Sequence, residues 1–73
     1  MSEIETLARF IVPLGQQVID VLEITHVENG MPLLRLRIRE GKRFTIFDID
    51  PITATQLGEV MTRWGLKQDD HKT

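Results

Sequence analysis

The 73-residue chain contains no cysteine and no tyrosine and has a single tryptophan. Without cysteine, no disulfide can staple it. His26 and His71 are its only histidines, too few for a structural zinc site, which usually takes four ligands. No metal and no cofactor is expected. Absent cysteine also suits a reducing compartment. No apolar run approaches the ~20 residues of a membrane span. The opening MSEIETLARF carries acids where a signal peptide needs a basic region and then an apolar run. The expectation is a cytoplasmic protein with no membrane partner. A large excess of one charge is missing too. Nine basic residues against 11 acidic give a net charge of −2, unlike the strongly basic balance of a general nucleic-acid binder.

A chain of this length buries only about 60–65% of its unfolded surface. Small scaffolds without disulfides or metals rely on unusually good packing or on a second chain. The organisation expected is one domain over residues 1–66 and a disordered polar tail over 67–73, which has no periodicity.

Secondary structure is most legible between Leu33 and Trp64. Leu34, Leu36 and Ile38 alternate with Arg35, Arg37 and Arg39, the period-two pattern of a strand with two unlike faces. Gly41 turns the chain, and Arg43 to Ile49 returns as a strand. Phe44, Ile46, Phe47 and Ile49 lie on both of its faces, which predicts a central position or an outer face against another surface. Asp50-Pro51 opens a helix, aspartate as cap and proline at the first helical position. Ala54, Leu57, Val60, Met61 and Trp64 follow at spacings of three and four, forming one apolar stripe. Gly65 is read as the helix stop, with Leu66 as its hydrophobic contact.

Upstream, Leu7 to Val12 reads as a short strand closed by the Pro13-Leu14-Gly15 turn, with Ser2 to Glu5 frayed and residues 2–8 left open between strand and helix. Gln16 to Val27 is rich in β-branched residues but alternates imperfectly, which predicts either cover on both faces or, in preference, a bulge near Asp20. Glu28-Asn29-Gly30 is a hairpin signal. A three-residue loop there would set Ile24 against Leu34, Leu22 against Leu36 and Glu23 against Arg35, keeping apolar residues together. The fold class expected is therefore α+β: an antiparallel three- to four-stranded meander followed by one C-terminal helix on one sheet face, ββββα. Leu22, Ile24, Leu34, Leu36, Ile38, Leu57, Met61 and Trp64 would form the core, leaving the arginine face open.

Three features bear on function. Arg35, Arg37, Arg39, Lys42 and Arg43 crowd around one acid, Glu40. Period two spaces the strand arginines about 6.6 Å apart, a spacing that could follow a phosphate backbone. Arg9 and Arg43 would extend the row, and Phe44 or Phe47 would supply a stacking platform. Candidate nucleic-acid or partner-binding residues are thus Arg35, Arg37, Arg39, Arg43 and Phe47. The alternative is a solvated face cross-paired with Glu23, Asp20 and Asp48. The element order resembles small meander-plus-helix folds that bind single strands, a family that includes transcriptional coactivators. That resemblance implies single-strand binding and dimerisation through the C-terminal helix.

The segment Thr45 to Thr53 resembles the first motif of haloacid dehalogenase-type phosphatases, an apolar strand ending in Asp-x-Asp. The resemblance would make Asp48 a nucleophile and Asp50 an acid/base. About 20 residues follow, too few for the parallel βαβ units such enzymes use. Helix capping by Asp50 and ion pairing by Asp48 are the competing roles, and no enzyme is expected. Trp64 and Met61 suit the core by spacing and an interface by residue type. The leading expectation is a non-catalytic protein-interaction or homodimerisation module whose partner is another protein or a second copy. The alternative is single-stranded nucleic-acid binding through Arg35, Arg37 and Arg39.

Overall fold

The computed structural model describes residues 2–26 and 30–69. Four antiparallel strands, β1 (Ser2–Ile11), β2 (Val18–His26), β3 (Pro32–Glu40) and β4 (Arg43–Ile49), form one sheet in the order β1-β2-β3-β4. A single helix, α1 (Pro51–Asp69), follows and packs on the sheet through β3. The architecture is the expected ββββα.

β1 is longer than its sequence pattern suggested, with residues 2–8 belonging to the strand. The phase change expected near Asp20 lies instead on β1. Thr6 pairs with Leu22 and Ala8 with Val21, which leaves Leu7 as the bulged residue. β2 runs without interruption. It is apolar on both faces because it is an inner strand, whereas β4, expected to be central or to meet another surface, is at an edge. Between β1 and β2 the chain reverses tightly. Val12 and Gln16 backbone N–H groups donate to the Gln17 and Val12 carbonyls at 2.8 and 2.9 Å. Gly15 and Gln16 take φ values of 104° and 61° there.

The β2–β3 register differs from the expected one by a single residue. Ile24 faces Leu33, Leu22 faces Arg35, and Asp20 faces Arg37. Glu28 and Asn29 of the connecting loop lie outside the described residues. A one-residue shift exchanges the faces, so Leu22 and Ile24 share the arginine side. The shifted register exchanges a Glu23–Arg35 pairing for an Asp20–Arg37 one, in which Arg9 also joins the carboxylate, and still gives Ile24 an apolar partner.

This relocates the core. Ile24 is 2% exposed, Leu22 4% and Asp20 4%. Every buried side chain among the described residues is therefore on the arginine side. Val21, Leu34, Leu36 and Ile38, on the other side, are only half-buried. The helix does not roof them with its apolar stripe: Met61 is 57% exposed and Trp64 66%, so neither belongs to the core. The helix also runs past Gly65 to Asp69. Lys67 and Gln68 are thus helical rather than part of a disordered tail, and residues 70–73 lie outside the described residues. The radius of gyration is 14.6 Å, against about 11 Å for a compact domain of this length.

Candidate functional site

The ladder fixes which candidate residues share a surface. Opposed residues in antiparallel strands project to the same face. Arg35 faces Asp48, Arg37 faces Ile46, and Arg39 faces Phe44. Arg43 faces Glu40 and Phe47 faces Leu36, which puts both on the opposite side of the sheet from the three arginines. The five candidates therefore form no single patch. Phe44, not Phe47, is the aromatic beside the arginines.

The arginine face is partly neutralised, with Asp20 and Asp48 meeting three of its four arginines. Arg35 donates to Asp48 in a fork, Nε to Oδ1 at 2.7 Å and Nη2 to Oδ2 at 3.0 Å. Arg37 donates to Asp20 Oδ2 through Nη2 at 2.8 Å. Arg9 reaches the same carboxylate from β1, Nε to Oδ1 at 2.6 Å. Bidentate pairs of this kind are the stronger charge-assisted hydrogen bonds. They move the groups' acidities in step. Hydrogen bonds from Arg9 and then Arg37 lower the Asp20 pKa from 3.8 to about 2. The bond to Asp20 raises Arg9, and the bond to Asp48 raises Arg35. Glu23, expected to face Arg35, faces Leu34 instead. Arg9, Val18, Asp20, Arg37, Arg39 and Phe44 line a shallow groove of about 220 Å³.

The Asp-x-Asp residues hold structural positions. Asp48 pairs with Arg35. Asp50 caps α1: its Oδ2 accepts from the Ile52 and Thr53 N–H groups at 3.1 and 3.2 Å, and its Oδ1 accepts from the Thr53 hydroxyl. Those bonds, the Thr53 hydroxyl's first, lower the Asp50 pKa.

The opposite face is a different surface. Phe10, Ile19 and Ile38 form one row across it, and Ala8, Val21, Leu36 and Phe47 the next. Phe10 is 57% exposed and Phe47 40%. At one end Glu5 lies directly across from Glu23, with Glu3 beside them. Among the described residues no ion pair reaches any of the three. Sequence reasoning missed this face because it assigned its aliphatics to the core.

The chain belongs to the family DUF6967. The match covers residues 1–67, thus all four strands and most of α1, and the family is one of unknown function. No curated protein and no solved structure matches the chain. Among the described residues, no helix is long and apolar enough to cross a membrane.

Proposed function

We propose that this member of DUF6967 is a small non-catalytic association module that works as a homodimer through the apolar face of its sheet. The observation that carries the reading is the lack, among the described residues, of any buried side chain on that face, although Val21, Leu36, Ile38 and Phe47 stand at its centre. Monomers rarely leave a contiguous apolar patch of this kind open, and such patches mark interaction surfaces. We place the module in the cytoplasm, where a chain without cysteine is at home. The test is multi-angle light scattering from high to low micromolar concentration. The expected mass is twice the 8.4 kDa of the chain, falling on dilution. A single-chain mass over the whole range overturns the reading.

Single-stranded nucleic-acid binding across Arg35, Arg37 and Arg39 is the second reading. It is favoured by Arg39 standing across from Phe44, a cation beside an aromatic ring. It has less behind it, because Arg35 and Arg37 already have carboxylate partners and the chain as a whole is acidic.

A further inference from the structure

We infer that the occupant of the apolar sheet face is helix α1 of a second copy, so that two chains exchange helices about a two-fold axis. This rests on the association reading and specifies its geometry.

The chain carries two unpartnered apolar surfaces that do not meet within it. One is the sheet face around Val21, Leu36 and Phe47. The other is the stripe Leu57, Val60, Met61 and Trp64, all of it exposed. A helix stripe and a sheet face are complementary layers. A two-fold pair supplies one of each from both chains and covers all four surfaces at once. The dimensions agree: Leu57 to Trp64 rises about 10 Å along the helix, and four strands are about 14 Å across.

The exposed area is of the size an obligate pair buries. The chain exposes 6182 Å², whereas a compact 8.4 kDa monomer would expose about 4,600 Å². The excess, on the order of 1,500 Å² per chain, leaves room for an interface of the size obligate homodimers bury.

Charge selects helix-on-sheet over the other pairings. Glu5 and Glu23 face each other, and like charges directly opposite are destabilising. Arg63 and Lys67 lie one turn apart on α1, on the flank of the stripe beside Val60 and Trp64. A helix seated on the partner's apolar face can bring two cations to an acidic end that has none. Stacking two sheet faces leaves the helix stripe in water. Pairing two helices leaves the sheet face and its acids as they are.

The experiment uses two charge-reversed forms of the full chain, with circular dichroism to show that each is folded. One carries Glu5→Lys and Glu23→Lys, the other Arg63→Glu and Lys67→Glu. Light scattering at low ionic strength measures each alone and the two mixed. The expected result is a wild-type dimer, each variant alone at least about ten-fold weaker in self-association, and a mixture that pairs like wild type. In the mixed pair one interface is reversed on both sides and the other is native. If the helix variant alone pairs as tightly as wild type, or the sheet variant alone does, the helix-on-sheet geometry is overturned while the association reading stands. Failure of the mixture to recover pairing overturns it equally. A monomeric wild type overturns both.

Discussion

Asp20 stands directly across from Arg37 in the β2–β3 ladder, and its Oδ2 accepts the Arg37 Nη2–H at 2.8 Å. The same carboxylate accepts Arg9 Nε–H at 2.6 Å through Oδ1. One acid on β2 therefore ties β1 to β3. Only the carboxylate is buried, the Arg9 and Arg37 side chains remaining partly in solvent, so removing both cations would leave a buried charge poorly compensated.

The first prediction is a pH dependence. The Asp20 pKa is lowered from 3.8 to about 2, chiefly by the Arg9 hydrogen bond and then by that of Arg37. A carboxyl depressed in the folded state contributes stability that is complete above its unfolded value and is lost as pH falls through the folded one. The contribution should hold at neutral pH and disappear between about pH 4 and pH 2. Asp20→Asn should lower the urea midpoint at pH 7 and flatten its fall across that acid window. Equal steepness in wild type and variant would refute the assignment.

The second concerns the core. Ile24 and Leu22 are the two buried hydrophobic side chains among the described residues. Truncating such a residue to alanine costs about 2–5 kcal/mol. A domain of this length has only about 4–11 kcal/mol in total. Ile24→Ala should therefore remove a large share of the stability and lower the urea midpoint accordingly, and Ile24→Val should cost about 1 kcal/mol. Val21→Ala, on the half-buried face, should cost clearly less than Ile24→Ala in the unpaired chain. Urea titration at low protein concentration measures all three.

How far the sequence discloses this fold depends on the kind of signal. The alternation on β3 and the Asp50-Pro51 helix start are local, and both are realised as read. Gly65 misleads because a glycine can stop a helix or sit inside one, and α1 continues through it. The register is the consequential failure. Pairing Leu22 and Ile24 with Leu36 and Leu34 groups apolar side chains. The observed pairing groups Ile24 with Leu33 and lets Asp20 and Asp48 meet guanidiniums. Choosing between them requires knowing that Arg9 arrives at Asp20 from a third strand, and that depends on the Leu7 bulge, which no local pattern announces. The candidate site inherited the error. The arginines and their pairing with Asp20 and Asp48 were legible, but which acid meets which arginine, and the openness of the other face, both follow from the register.

The third prediction tests the arginine face. With Arg35 and Arg37 already paired, few counterions are released on contact with a phosphate backbone, and that release drives non-specific binding. A fluorescent single-stranded oligonucleotide should show no saturable binding at about 150 mM salt, an ionic strength at which exposed charges are largely screened. Replacing Arg35 and Arg37 by glutamine should lower the thermal midpoint and leave the fluorescence anisotropy unchanged. Tight, steeply salt-dependent binding lost in that variant would favour the nucleic-acid reading instead.

The fourth separates what the helix owes to itself from what it owes to a partner. Gly58 and Gly65 are helical, and a Cβ added at either meets no atom within 4 Å. Alanine there should add about 0.8–1 kcal/mol of helix stability, which in a domain this small raises the thermal midpoint by about 4–8 °C. Because that gain is local to one chain, it should persist at every protein concentration. Met61 is the opposite case. Its side chain is 57% exposed, so Met61→Lys removes little within one chain. A complex that forms only between folded chains makes the midpoint depend on concentration. The wild-type midpoint should therefore climb as concentration rises, whereas that of Met61→Lys should stay flat near the dilute value. Emission from Trp64, the only tryptophan, gives an independent reading of the same equilibrium. It should shift to the blue with concentration in wild type, where the exposed indole is buried on pairing, and stay red-shifted in the Met61→Lys variant. Identical concentration curves for wild type and Met61→Lys would remove the stripe from the interface.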